Sequence, residues 1–241
     1  MTHQELMTIH LNTLFRTTAA GQLLWVNEPG ADEDCPPAPR FFMGRTREGN
    51  LWRFHADLPP AIVSELDELC RIEPIVSELK TPPRQAAAIR AVLARHGPLQ
   101  NEEQGPAYWL AKAQTVEQPG AANAVLITPA NLELLRTHFP DWLKPPPYYD
   151  LGPAAITVVD GQAVALCCCV RVPGRATEAG VETAPAYRGK GYAPAAVALW
   201  AAAVRRLGIL PLYDTSWENL ASQRVATKLG MVQYGEDWSI D

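Results

Sequence analysis

The chain has 241 residues, and 47% of them are hydrophobic, which is enough for a packed core in one large domain or two small ones. Its formal net charge is −5, and no run of like charges is long enough for a tail that binds nucleic acid. Such an acidic chain is compatible with a cationic amine as substrate.

The first twenty residues carry Glu5 and apolar residues at helical spacing, a pattern unlike that of a signal peptide. No apolar run reaches the roughly 18 uncharged residues that a membrane helix needs. We therefore expect a soluble, cytoplasmic protein with no membrane partner.

Five cysteines, three of them consecutive at residues 167–169, match neither a disulfide framework nor a paired metal-binding motif. Alternate residues of a strand face opposite ways, so these three cannot share one ligand, and we predict that they are buried strand residues. The histidines are scattered without ligand spacing, and we predict no metal: they are His3, His10, His55, His96 and His138.

The N-terminal region begins with a helix, because Thr2 and Glu5 can form a capping box, and we expect this helix to reach about residue 19. Proline and glycine among acidic residues make 28–40 a loop. The runs 41–46 and 51–55 flank a polar turn and predict a hairpin.

Two helices should cover this hairpin. One starts near Pro60, and the other runs from about Pro83 to His96. The first presents four apolar side chains on one face: Ile62, Leu66, Leu69 and Cys70.

Three glycine–proline pairs fall within residues 97–123, with a predicted strand at 108–113 between them. We place a domain boundary here, which gives an N-terminal α+β region, residues 1–118, and a second domain, residues 119–241.

The second domain should open with a strand at 124–127, a helix at 131–139 and a loop rich in proline and aromatic residues. Asp160-Gly161 predicts a type I′ turn between strands 155–159 and 162–170. A third antiparallel strand is expected at 175–183.

The stretch 181–193 reads as a site for an anion. Gly189 and Gly191 let the backbone approach a ligand, and an Ala-rich helix begins at once with Pro194 in its first turn. Unpaired amides at a helix start bind phosphate, and Arg188 and Lys190 add positive charge. A surface turn before a core helix is the structural alternative.

A core helix then ends near Gly208, with an apolar face of Val197, Trp200, Ala201, Val204 and Leu207. A strand at 209–214 should run parallel to the strand before the helix, because a crossover helix joins them. A helix ending at Leu229 and a strand at 232–238 complete the order.

Two motifs in this order resemble those of the GNAT superfamily of acyltransferases. Arg188-x-x-Gly191-x-Ala193 looks like its coenzyme A loop, and Asn219-Leu-Ala-Ser222 with Gly230-Met231 resembles its last motif. The resemblance covers residues 124–241. It implies an α+β fold with a GNAT-type twisted mixed sheet flanked by helices, in which two parallel strands splay apart.

The resemblance also implies acetyl-CoA as co-substrate. Its pantetheine arm would pair with the strand carrying Val181 and Thr183, and Gly180 is expected to mark a bulge that assists the splay. The residues implied in cofactor binding are Val181, Thr183, Arg188, Gly189, Lys190, Gly191, Tyr192, Ala193, Asn219 and Ser222; for Asn219, a helix cap is the alternative.

Acyl transfer to an amine needs a base and a proton for the leaving thiolate. Glu182 and Asp214 are the candidate bases, with a solvated or ion-paired carboxylate as the alternative for each. The family's usual tyrosine donor is replaced by Ala226, which leaves Ser222, Ser216 and Tyr213 as candidates, or release of an unprotonated thiolate.

We predict an N-acetyltransferase that acts on a small-molecule or amino-acid-like primary amine. The alternatives are a protein N-acetyltransferase and a non-catalytic acyl-CoA-binding regulatory module. No nucleic-acid partner is expected, and a homodimer is one option for the assembly.

Overall fold

In a computed structural model of the chain, residues 1–29, 34–111, 123–144 and 151–241 are described. They form two compact units. The first unit comprises Met1–Tyr108, Asp214–Glu218 and Gln233–Asp241, and the second comprises Trp109–Tyr213 and Asn219–Val232. The predicted boundary between residues 118 and 119 lies outside the described residues, as does part of the predicted aromatic loop.

Helices and strands alternate irregularly along the chain, as an α+β fold requires. The α-helices are α1 His3–Leu14, α2 Pro60–Arg71, α3 Ala86–His96, α4 Ala193–Arg206 and α5 Leu220–Lys228. The strands are β1 Phe15–Thr17, β2 Leu23–Val26, β3 Phe41–Arg45, β4 Asn50–Phe54, β5 Glu102–Trp109, β6 Asn123–Leu126, β7 Ala154–Val159, β8 Gln162–Cys169, β9 Ala176–Thr183, β10 Leu210–Asp214 and β11 Val232–Ile240.

Helix α1 begins with the predicted capping box. The Thr2 side chain accepts from the Glu5 amide at 3.1 Å, and the Glu5 carboxylate accepts from the Thr2 amide at 2.8 Å. The helix ends at Leu14 rather than near residue 19, because Phe15–Thr17 turn into strand β1 and pair with β2.

The first unit packs a sheet of order β4-β3-β11-β5 against helices. The predicted hairpin is confirmed as β3 and β4, with Phe41 opposite Phe54. Helices α2 and α3 are confirmed as its cover. They share one core with β3 and the end of β11, made by Phe41, Met43, Leu58, Leu66, Cys70, Ala86, Ile89, Val92, Leu93, Trp238 and Ile240.

The second unit contains strands in the order β10-β9-β8-β7-β6, with α4 packed on β6 to β9. The turn between β7 and β8 is the predicted one, since Asp160 and Gly161 have φ angles of 49° and 73°. Strands β7, β8 and β9 are antiparallel neighbours, whereas β9 and β10 are parallel. Both predictions about strand direction are confirmed.

Two further predicted elements differ from the structure. Residues 131–139 form no α-helix but a 3-10 turn at Leu132–Leu135, because the segment is short and the residue before Pro140 is kept out of the helical region. The strand predicted at 108–113 is β5, at 102–109, and it contains Gly105. A Cβ there would meet the Thr215 carbonyl oxygen at 1.7 Å, so glycine permits close backbone approach.

Helix α4 confirms most of its predicted core face. Val197, Trp200, Ala201 and Val204 are buried, but Leu207 is 61% exposed and was wrongly assigned to the core. Leu207 follows the last helical residue, where the chain turns through Gly208 with a φ angle of 77°. Within the described ranges, no helix combines the length and apolar character needed to cross a membrane.

Candidate active site

Strands β9 and β10 pair only over their first residues. Their ladder joins Leu210 to Ala176, Pro211 to Thr177 and Leu212 to Glu178, and no further pair follows in these two fully described strands. Strand β9 continues to Thr183, so its last five residues have an edge that β10 leaves open. The splayed parallel pair expected from the resemblance is therefore present in the second unit.

The open edge of β9 exposes backbone groups of particular residues. The amide of Val170 donates to the Glu178 carbonyl, and the amide of Ala184 donates to the Val164 carbonyl, so even-numbered residues of β9 face β8. Both backbone groups of one strand residue point to the same side, and those of Val181 and Thr183 therefore point to the open edge. These are the two residues predicted to pair with pantetheine.

The predicted bulge at Gly180 is wrong. The ladder between β8 and β9 runs without a register shift from Ala165 opposite Thr183 to Cys169 opposite Ala179. Glycine is needed for space instead, because a Cβ at position 180 would lie 2.2 Å from Cγ1 of Val170. The splay results from the end of the β10 ladder and needs no irregularity in β9.

The anion cradle, Arg188–Ala193, connects β9 to α4. A short 3-10 turn at Pro185–Tyr187, absent from the sequence prediction, comes between strand and cradle. Gly189 and Gly191 have φ angles of 75° and 86°, on either side of Lys190. A backbone in which the sign of φ alternates in this way turns successive amides toward one concave side, and such a geometry binds anions.

Helix α4 begins without a side-chain cap. Its N-cap residue is Tyr192, which makes no capping hydrogen bond, and its first turn has no acidic residue. The amides of Ala193 and Ala195 have no partner within the helix, and Pro194 has no amide proton to satisfy. A diphosphate at this position would meet free donors and the positive end of the helix dipole.

Neighbouring side chains hold the cradle in place. The buried hydroxyl of Thr157 on β7 donates to the Tyr192 carbonyl at 2.9 Å. The Arg188 guanidinium donates to the Thr183 carbonyl at 3.1 Å, and the Lys190 ammonium lies 5.3 Å from the centroid of the Tyr187 ring. Arg188, Gly189 and Lys190 are exposed, so a solvent-borne anion can reach them.

The second predicted motif forms the start of α5. Asn219 is the N-cap, and its Oδ1 accepts from the Ser222 amide at 3.1 Å, so the cap interpretation of Asn219 is confirmed. The Ser222 hydroxyl lies 2.6 Å from the buried Tyr213 hydroxyl of β10. Ala226 lies one turn after Ser222 and is buried, so it offers no proton donor there.

The two candidate bases have different surroundings. Glu182 is exposed on β9, and Asp214 ends β10, half-buried in the first unit. There Asp214 Oδ2 lies 3.9 Å from Nε2 of the fully buried His10. Neither His10 nor its neighbours Tyr234 and Asp237 stood out in the sequence, since helix and strand spacing give no signal for contacts between residues so far apart.

The three consecutive cysteines are buried, as predicted. Burial raises the pKa of the Cys168 thiol to about 12 and that of the Cys167 thiol well above its usual range. Cys169 accepts a hydrogen bond from the Trp200 indole at 3.4 Å. These thiols stay protonated at neutral pH and are packing residues.

Comparison with known proteins finds a family match over the part of the chain that carries both motifs. Residues 127–238 match the family model of the GNAT acetyltransferases. No curated protein matches the chain. Among solved structures, a tandem GNAT protein from the clavulanic acid biosynthesis pathway is 15% identical, with a TM-score of 0.50 and coverage of 100% of this chain and 95% of that one.

Two further structures are less similar in shape. A GCN5-related N-acetyltransferase-like protein from Streptococcus suis is 17% identical, with a TM-score of 0.47 over 88% of this chain and 86% of that one. A GNAT-family acetyltransferase structure from Novosphingobium aromaticivorans is 18% identical, with a TM-score of 0.45 over 59% of this chain and 66% of that one. The family match and the splayed strands agree that residues 127–238 contain a GNAT acetyltransferase domain.

Proposed function

We propose that this acetyltransferase transfers the acetyl group of acetyl-CoA to a primary amine of a small molecule or an amino-acid-like metabolite. The observation that carries the proposal is the open edge of β9, which leads through one 3-10 turn into the anion cradle at the start of α4. One ligand that offers both an extended amide-bearing arm and a diphosphate is coenzyme A. The residues present fit this ligand, because the edge supplies backbone pairing and the cradle supplies amides and cations.

The thioester would be oriented by backbone groups. The Val181 amide points to the open edge and is available to donate to the thioester carbonyl as negative charge develops on its oxygen. Gly189, Lys190 and Gly191 would hold the diphosphate, and α4 would favour its charge.

Transfer requires an amine without its proton. The nitrogen lone pair forms a bond to the acetyl carbon, the carbon–sulfur bond breaks, and the amine proton passes to a base directly or through water. We propose Asp214 or Glu182 for this role. Asp214→Asn and Glu182→Gln separate the two, because loss of the base lowers the rate and removes its rise with pH in that variant alone. Two variants that keep the parent's rate and pH profile would exclude both carboxylates.

The leaving thiolate receives its proton from Ser222 in this scheme, Tyr213 passes its own proton to Ser222, and water reprotonates the pair after the thiol has left. The 2.6 Å hydrogen bond between the two hydroxyls supports such a pair, and Ser222 is the less buried member. The phenol of Tyr213 then performs the task that the family assigns to a tyrosine at the position of Ala226.

Two other functions use the same cofactor site. A protein N-acetyltransferase would accept lysine or N-terminal amines of peptides, and a non-catalytic module would bind acetyl-CoA without turnover. The departure at Ala226 is the observation that favours a non-catalytic module.

The deciding experiment measures thiol release from acetyl-CoA against a panel of small amines, amino acids and peptides. A small amine that gives saturable thiol release supports the proposal, and preference for peptides supports protein acetylation. Calorimetric binding of acetyl-CoA without thiol release from any acceptor would establish the non-catalytic module.

A further inference from the structure

We propose that His10, Asp214 and Asp237 form a binding site for a divalent transition metal ion, with zinc as the ion of choice. This site belongs to the first unit, and one of its ligands, Asp214, is also a candidate base in the proposed function. One ligand atom from each residue lies within 4.8 Å of the other two. The sequence predicted no metal, because these residues are separated by long stretches of chain on α1, β10 and β11.

The imidazole of His10 is fixed in orientation. The side chain is fully buried, and its Nδ1 lies 2.7 Å from the hydroxyl of Tyr234, which is also fully buried. The ring packs near those of Phe42 and Tyr234, with centroid distances of 6.5 and 6.0 Å. Histidine ligands of metals usually donate from their other ring nitrogen to an oxygen acceptor, and the Tyr234 hydroxyl can be that acceptor.

The other ring nitrogen faces two carboxylates. His10 Nε2 lies 3.1 Å from Asp237 Oδ2 and 3.9 Å from Asp214 Oδ2. Bonds from zinc to nitrogen and oxygen ligands are about 2.0–2.2 Å long, so the ligand atoms around a tetrahedral zinc are roughly 3.4 Å apart. The two measured separations lie on either side of that spacing, and small side-chain movements would place all three atoms around one ion.

Charge and access also suit a cation. Two carboxylates carry two negative charges, which a divalent ion would neutralise. The carboxylate side chains of Asp237 and Asp214 are 17% and 31% exposed, so an ion can enter from their side, whereas the imidazole is closed off. One nitrogen and two oxygen ligands suit zinc, and imidazole disfavours magnesium.

The cysteines would not compete with this site for added zinc. All five are buried, and burial raises the pKa of Cys70, Cys167, Cys168 and Cys169. Thiols bind zinc as thiolates, so these four are poor competitors near neutral pH. Bound zinc would join α1 to β11 and to the end of β10, and thereby stabilise the first unit.

The test titrates chelator-treated full-length protein with zinc chloride in a calorimeter and measures the metal retained after dialysis. We expect one zinc per chain and a higher melting temperature with zinc. Asp237→Asn should weaken zinc affinity by about 100-fold through loss of a ligand, and Tyr234→Phe by roughly 10-fold through loss of the orienting contact. His10→Ala should abolish binding.

The matched control is Asp57→Asn, since Asp57 is 89% exposed and lies 3.6 Å from His55 in a separate histidine–aspartate pair. It should leave zinc affinity unchanged. If His10→Ala fails to fold, Asp237→Asn and Tyr234→Phe still decide the matter. Wild-type protein that binds no zinc, or Asp237→Asn protein that binds it with parental affinity, would show that the cluster is only a hydrogen-bonded histidine between two carboxylates.

Discussion

The two units use polar groups in opposite ways. In the second unit, the polar groups of the candidate cofactor site are backbone amides and carbonyls left open by glycines, a helix start and the end of a ladder. In the first unit, the notable polar groups are buried side chains that pair with one another, such as Arg45 with Glu236 at 2.6 Å. A site built from backbone is encoded within a few consecutive residues, whereas a network of side chains depends on residues far apart in the chain.

The largest effect is expected from breaking the buried network of the first unit. Arg45 is fully buried and contacts Glu236, Glu73 and the carbonyls of Leu79 and Thr81. Arg45→Ala leaves two buried carboxylates without this partner and should lower the free energy of unfolding by about 3–5 kcal/mol, measured by denaturant titration.

The control for that change is Arg71→Ala, because Arg71 is an exposed residue paired with Asp67 on the same helix. It should cost no more than about 0.5 kcal/mol. Similar losses for the two variants would mean that the buried network is no more important than a surface ion pair.

The next effect concerns the backbone site. Gly191→Asp forces a side chain onto a residue with a φ angle of 86° and adds a negative charge where the diphosphate should bind. We expect acetyl-CoA affinity to fall by about 100-fold in calorimetry, since each 1.4 kcal/mol is a factor of ten. Gly174→Asp, at an exposed turn glycine without positive φ, is the control. Unchanged acetyl-CoA affinity in the Gly191→Asp variant would show that the cradle does not bind the diphosphate.

An effect of about the same size is expected from the hydroxyl pair of the second unit. Ser222→Ala should lower turnover by about 100-fold if Ser222 protonates the thiolate, and Tyr213→Phe by roughly 10-fold, with little change in the Michaelis constant for acetyl-CoA. Thr227→Ala, at an exposed position on the same helix, should match the parent. Full turnover in both test variants would favour release of the thiolate without a protein acid.

The smallest effect is a pH dependence in the first unit. Hydrogen bonds from Arg90, and secondarily from the Trp238 indole, lower the pKa of the Glu102 carboxyl. A carboxyl with a lowered folded pKa stabilises the fold above its unfolded pKa, and this contribution is lost as the pH falls through the folded pKa. Glu102→Gln should therefore cost roughly 0.5–1 kcal/mol at neutral pH and almost nothing once the pH lies below the folded pKa of Glu102. A cost independent of pH would assign the effect to packing.

Sequence reasoning succeeded where a short stretch determines the backbone. Asp160-Gly161 defined a turn, Thr2 and Glu5 defined a helix start, and Gly189 with Gly191 marked the cradle. The predictions failed where contacts with distant parts of the chain determine an element. Phe15 belongs to strand β1 and not to α1, and Gly105 lies inside β5 because another backbone segment passes close to it.

The backbone features of the candidate cofactor site could thus be predicted, whereas the side chains around the candidate base could not. His10 and Tyr234 are 224 residues apart, and Arg45 and Glu236 are 191 apart. Periodicity within an element shows which residues are buried, but it does not show which buried polar groups meet. Likewise, the sequence showed Tyr213 and Ser222 only as two separate candidate proton donors, and it did not show that their hydroxyls lie 2.6 Å apart.

The uncapped start of α4 has a consequence for motion. Without a side chain to accept from its first amides, this end of the helix should fray in the free protein, and its amide protons should exchange quickly with solvent. A bound diphosphate would serve as the missing cap and slow that exchange. The helix that supports the cofactor would then be completed by the cofactor, so order at this end of α4 reports directly on occupancy of the site.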